Sequence, residues 1–362
     1  MITEKDKEIR LQHDMDIIVE GILGVLEGKP KAILLCGGYG RGEGAWYTDR
    51  DGNLCTYNDY DLAVITETPM SRGVYSLLRK ELAEKVGIRW IDIDCYTPSQ
   101  LHKMKSTIHN IDLLYASKVI WGDEQWNTKP FIPKLRKEEI GFFDIEKLYR
   151  TRMWTLLGSW EGDFRDLDPE ETMFFRNQMA KCILASCDMR LVLEKEYETS
   201  YVKRVEKICA LCPQDERLCK LARWAIHEKQ NPSYEKMPAE AVKDFYDDVY
   251  NLFIDSSRLA FGNKSKYYLD PQKTKGYLLT HTLNVIMTIY GLLRGHKWYF
   301  AKRDDIFCAQ NYVLLSYSST GIYNSTYLKK ASDILQKWNY IKEPLNSWPD
   351  LRTAVADARN RI

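Results

Sequence analysis

The chain has 362 residues, 44% of them hydrophobic and 28% charged, which is enough for two or three domains with a sizeable core. Its net charge of +1 gives no global attraction to polynucleotides or membranes and argues against a long nucleic acid as partner. No apolar run reaches the ~18 residues of a membrane span, and nine cysteines are scattered through a chain without a secretory signal, so a reducing cytoplasm is the expected compartment.

Residues 4 to 28 predict a helix, with Ile9, Leu11, Met15, Ile18, Ile22 and Val25 at roughly helical intervals and Gly28-Lys29-Pro30 as its stop. The apolar run Ile33-Leu34-Leu35 then ends at Gly37-Gly38, the pattern of a strand covered on both faces that enters a tight turn. Glycine there permits positive φ and close approach of backbone N–H groups to anionic oxygens, while Arg41 adds a guanidinium suited to phosphate. Residues 45 to 57 centre on Asp49-Arg50-Asp51-Gly52-Asn53, whose turn chemistry predicts a β-hairpin.

In Asn58-Asp59-Tyr60-Asp61 the two aspartates are two apart, so on a strand their carboxylates share a face while Tyr60 turns away. Two anions this close repel unless a cation sits between them, and such oxygen-rich clusters suit magnesium. Residues 72 to 86 read as an amphipathic helix ended by Gly87, and residues 88 to 97 alternate as a strand, with Asp92 and Asp94 on one face and Ile91, Ile93 and Cys95 on the other. Either Asp92 or Asp94 could complete a site of three carboxylates. Thr97 or Ser99 caps a following helix, residues 111 to 122 give a helix end and a last strand, and a linker spans 127 to 137.

A glycine pair after a strand, then Asp-x-Asp, then a further acid on the next strand, resembles the nucleotidyltransferases of the DNA polymerase β superfamily. The turn Gly37-Gly38-Tyr39-Gly40-Arg41-Gly42-Glu43 is similar to that of uridylyltransferases acting on the PII signalling protein, and the layout around Asp92 resembles antibiotic nucleotidyltransferases. The resemblance covers roughly residues 30 to 125. Gly38 to Asp59 is longer than the family's usual spacing, because the hairpin is inserted between turn and strand. The likeness implies Asp92, rather than Asp94, as third ligand, and two Mg2+ ions (or Mn2+) held by Asp59, Asp61 and Asp92. It also implies Gly37, Gly38 and Arg41 at the phosphates of a nucleoside triphosphate and an acceptor hydroxyl as the other substrate.

Beyond residue 139 the pattern is helical, with segments at 144 to 161, 169 to 195, 200 to 211 and 239 to 261. By the same resemblance, Lys181 on the second segment and Ser200-Tyr201 at the start of the third would grip the triphosphate; the plainer alternative is a surface lysine and a helix cap. Cys209 and Cys212 with Cys219 have a zinc-like spacing but lack a second close pair or a well-placed histidine, so buried thiols are expected instead. Residues 274 to 293 read as a buried helix, and 294 to 303 mixes bases with aromatics.

The expected architecture is therefore α+β, with a small mixed-sheet catalytic domain over residues 1 to 126, a helical domain over 139 to 261 forming the other wall of a cleft, and a helical segment over 262 to 362. The expected activity is transfer of NMP from an NTP to a hydroxyl, with a small-molecule or nucleotide acceptor favoured over an RNA end or protein side chain. The rival reading is a nucleotide-binding regulatory module without turnover.

Overall fold

The computed structural model describes residues 3–26, 30–68, 72–124, 126, 134–264 and 299–360. The expectations for 127 to 133, for the helix over 274 to 293 and for the side chains of 294 to 303 lie outside what it describes. The fold is α+β, a small mixed sheet followed by helices. The chain divides into two compact units, Met1–Asp144 with Leu191–Glu235, and Ile145–Arg190 with Lys236–Ile362.

The first unit opens with α1 (Glu4–Leu26), then β1 (Pro30–Leu35), a single helical turn α2 (Gly37–Gly40), β2 (Trp46–Thr48), β3 (Leu54–Thr56) and β4 (Asp59–Thr66). There follow α3 (Arg72–Val86), β5 (Trp90–Tyr96), α4 (Pro98–His102), α5 (Ile108–Tyr115) and β6 (Lys118–Gly122). Four strands form one sheet in the order β5-β4-β1-β6, in which β1 runs antiparallel to both neighbours and β4 runs parallel to β5. The parallel pair needs a crossover, and α3 supplies it.

Period-two alternation sorts the strands into two faces. Ile33, Leu35, Tyr60, Leu62, Val64, Ile91 and Ile93 pack against α1 and α3 through Met15, Ile18, Ile22, Leu26, Leu78 and Leu82. Ala32, Leu34, Ala63 and Ile65 lie on the opposite face under Leu101, Leu113 and Trp126. On α1 the buried stripe is Met15, Ile18, Ile22 and Leu26 with Asp14; Ile9 is exposed because it falls on the opposite side of the helix, and Val25, near the helix end, is exposed although it lies on the stripe's side. The inserted hairpin forms as expected, pairing Tyr47 with Cys55. Its turn is held by Asp49, whose carboxylate accepts from the Asp51 and Asn53 amides, while Gly52 takes φ +84°. Thr97, not Ser99, caps α4 in a reciprocal box with Gln100.

Residues 191 to 235, expected within a helical domain over 139 to 261, cluster instead with the sheet. They carry α8 (Tyr201–Leu211) and α9 (Glu216–Gln230), capped by Ser200 and Asp215. Partly buried polar links explain the placement: Tyr197 and Arg204 both bond Asp112 on α5, and Lys137 pairs with Glu198 at 2.6 Å.

The second unit is helical, built on α6 (Phe142–Ser159), α7 (Pro169–Leu193), α10 (Ala239–Phe261), α11 (Tyr299–Ser316), α12 (Ser325–Lys337) and α13 (Trp348–Asn360), the first two of which extend past its bounds. Its core gathers Trp160, Tyr246, Tyr317 and Trp348. The indole of Trp348 donates to the Val313 carbonyl at 3.0 Å. Among the described residues, no helix is long and apolar enough to cross a membrane.

Candidate metal centre

At the C-terminal end of β1 the chain bends onto β4. Cys36 is extended and donates its amide to the Asp61 carbonyl at 2.7 Å. Gly37 then takes φ +62°, and a β-carbon there would stand 2.0 Å from Asp61 Oδ2. Only glycine combines that conformation with that approach. Gly38 follows within the single turn α2, which closes when Glu43 donates its amide to the Gly38 carbonyl at 2.8 Å.

Asp59 and Asp61 share the face of β4 that carries Ala63 and Ile65, and Asp92 lies directly across from Asp61 on β5. One carboxylate oxygen from each of the three lies within 4.8 Å of the others, and all three side chains are half-buried. This is the one group of three or more metal-ligating side chains among the described residues. Asp94 points to the same side of β5 but pairs with Ala63, two positions further along, and stands exposed outside the group. Asn58, in the left-handed region at φ +82°, donates from its side-chain amide to Asp59 Oδ1, and the Trp90 indole donates to Asp92 Oδ1 at 2.8 Å.

Charge is unbalanced at the centre. Burial, together with the carboxylates of Asp59 and Asp92, pushes the Asp61 carboxyl up to about 7, against the opposing pull of Arg41 and Lys229. A group with this donor set, held together at the cost of a retained proton, fits a hard divalent cation that would replace that proton.

The other expected site residues are distributed differently. Arg41 does not stand open to a ligand: its buried guanidinium pairs with Glu43 at 3.2 Å and Asp112 at 3.4 Å and lies over the Tyr201 ring. The charge of an arginine buried this deeply is met by the chain's own carboxylates. Ser200 is a helix cap, accepting from the Lys203 amide, and its hydroxyl donates to Glu43 at 2.7 Å. The Tyr201 amide donates to the same carboxylate at 3.0 Å. Lys181 lies on α7 within the second unit. Cys209, Cys212 and Cys219 form no disulfide among the described residues, and burial with a hydrogen bond to Cys209 pushes the Cys219 thiol up to about 11.

Three contributors went unassigned in the sequence. Lys229, at the end of α9, reaches Asp61 electrostatically across a separation no local pattern reveals. Trp90 is two residues before Asp92 on an alternating strand, so its sharing a face was visible there and its hydrogen bond was not. Tyr60, behind Asp59 and Asp61, donates its hydroxyl to the fully buried Asp14 at 2.8 Å.

No family model matches the chain, and comparison with curated proteins and with solved structures gives no match.

Proposed function

We propose that this chain is a metal-dependent nucleotidyltransferase of polymerase β type, moving NMP from a nucleoside triphosphate to an acceptor hydroxyl with release of pyrophosphate. The observation that supports this reading is the convergence of Asp59, Asp61 and Asp92 from two neighbouring parallel strands, with the Gly37 backbone against Asp61. Two Mg2+ ions, or Mn2+, would supply charge neutralisation on the triphosphate and a lowered pKa for the attacking hydroxyl.

The chain's own residues do the rest. Asp59, Asp61 and Asp92 would hold the ions, and Asp92 would serve as the base that takes the hydroxyl proton. The bare backbone at Gly37 and Gly38 lets phosphate oxygens come close, and Lys229 adds positive charge that acts on Asp61. Holding the reacting groups in line, with charge neutralised, is most of what phosphoryl-group chemistry requires. The acceptor is a small molecule or nucleotide, in keeping with the small net charge.

The test is pyrophosphate release from each NTP with Mg2+ and a panel of hydroxyl acceptors, beside Asp59→Ala/Asp61→Ala. Release that depends on both aspartates supports the assignment. Release that survives the double substitution ends it, and a metal-dependent thermal shift by NTP without any turnover would favour the regulatory binding module instead.

A further inference from the structure

We propose that Trp90 is the positioning residue of the metal centre, acting through Asp92; the inference rests on the metal-site reading above. β5 is the edge strand of the sheet, so Asp92 has a paired neighbour on one side only, Asp61 of β4. A carboxylate placed there can rotate, and each orientation it visits away from the ion is affinity lost. Trp90 sits directly across from Asp59, two positions along from the Asp61–Asp92 pair and on the same face. Its indole N–H donates to Asp92 Oδ1 at 2.8 Å, which fixes the carboxylate's rotation and leaves Oδ2 for an ion.

The competing explanation is an ordinary exposed aromatic. Half of Trp90 is open to solvent, and single exposed apolar side chains are common enough that exposure alone says nothing. The polar end of the ring decides the matter. Water would satisfy an exposed indole N–H at no cost in side-chain entropy, yet this one is directed at a carboxylate of the centre. The neighbouring ligand is restrained in the same way, since Asn58 donates to Asp59 Oδ1. Two of the three ligands thus each carry a side-chain donor on one oxygen, the arrangement by which outer groups orient metal ligands.

The test uses the full chain and two ions. Calorimetric titration with Mn2+ gives affinity, and terbium luminescence excited through tryptophan reports an indole within a few ångströms of the bound ion. For Trp90→Phe, which keeps an aromatic ring and removes the N–H, Mn2+ affinity is expected to fall about tenfold. The sensitised terbium signal should be lost, with the melting temperature of the metal-free protein unchanged. In an Asp92→Asn background the same substitution should weaken Mn2+ binding no further, because the two residues act as one unit. That non-additivity would not arise from a merely structural tryptophan. Wild-type Mn2+ affinity in Trp90→Phe, or equal losses in both backgrounds, overturns the proposal and leaves the metal centre standing. Mn2+ binding that is absent from the wild type, or undiminished in Asp59→Ala/Asp61→Ala, removes the centre itself and this inference with it.

Discussion

Gly37 lies against Asp61 so closely that a β-carbon on the glycine would stand 2.0 Å from the carboxylate oxygen Oδ2, in a residue already at φ +62°. Substitution must therefore displace Asp61, the middle member of the three converging carboxylates. Gly37→Ala is expected to abolish Mn2+ binding and to cost about 1–3 kcal/mol of stability through the left-handed backbone and the clash together. Gly42→Ala is the control, since Gly42 has φ +75° and open space where its β-carbon would go. It should cost about 1 kcal/mol and leave Mn2+ affinity intact. Calorimetry and thermal melts on the two variants separate conformational strain from displacement of Asp61; equal Mn2+ affinities would refute the displacement.

The Asp61 carboxyl, pushed up to about 7 by burial and by Asp59 and Asp92, makes the metal response depend on pH. The folded protein holds this proton more tightly than the unfolded chain, whose aspartates titrate near 3.9. Its contribution to stability is present below the unfolded value and is lost as pH rises through about 7. A bound cation takes the proton's place, so metal binding strengthens over the same rise and levels off above it. The thermal shift produced by a fixed Mn2+ concentration should grow from pH about 5.5 to about 8 and then flatten, while Asp61→Asn should show little dependence. A shift independent of pH in the wild type would contradict the assignment.

What the sequence revealed and what it hid divide along a physical line. The apolar run before Gly37, the hairpin turn at Asp49, the helix stop at Gly87 and the shared face of Asp59 and Asp61 are local patterns, and each formed where expected. Alternation puts Asp92 and Asp94 on one face and does not tell them apart; strand register does, by setting Asp92 beside Asp61 and Asp94 beside Ala63. The pairing of Arg41 was hidden for a related reason. A guanidinium in a glycine-rich turn looks available for phosphate until Asp112, 71 residues away, is known to pair with it. The helices from 201 to 230 likewise read as part of a continuous helical half, because nothing local shows that Glu43 and Asp112 draw them to the sheet.

Behind the centre, Tyr60 and Asp14 form a buried pair whose loss should be felt in stability rather than in metal affinity. The Tyr60 hydroxyl donates to Asp14 Oδ2 at 2.8 Å, Arg10 pairs with the same carboxylate at 3.0 Å, and both Tyr60 and Asp14 are fully buried. Tyr60→Phe keeps the ring packed on Tyr39 and removes one donor from a buried acceptor, for an expected loss of about 1–3 kcal/mol. Because Tyr60 faces away from the ligands, Mn2+ affinity should change less than about threefold. Chemical denaturation and calorimetry measure the two quantities, and a large loss of affinity at unchanged stability would show that the strand's two faces are coupled more tightly than this geometry allows.

Glu43 is the link through which the glycine turn holds the helix that follows Ser200. Its carboxylate accepts from the Ser200 hydroxyl, from the Tyr201 amide and, at 3.4 Å, from the Val202 amide, and it pairs with Arg41. An anion at a helix start gains both from unsatisfied amides and from the helix dipole, so this one side chain satisfies two backbone donors and half neutralises a buried cation. Ser200→Ala removes a cap and should cost about 1 kcal/mol. Glu43→Ala also leaves Arg41 with Asp112 as its remaining carboxylate partner, and should cost about 3–5 kcal/mol, as breaking a buried ion pair does. Glu43→Gln, which keeps the shape and a carbonyl acceptor but loses the charge, should fall between them. The amide exchange of Tyr201 and Val202 should accelerate in both Glu43 variants, because their acceptor is the side chain that has changed. Protection at those two amides that survives Glu43→Ala would show that the helix start is held by something other than this carboxylate.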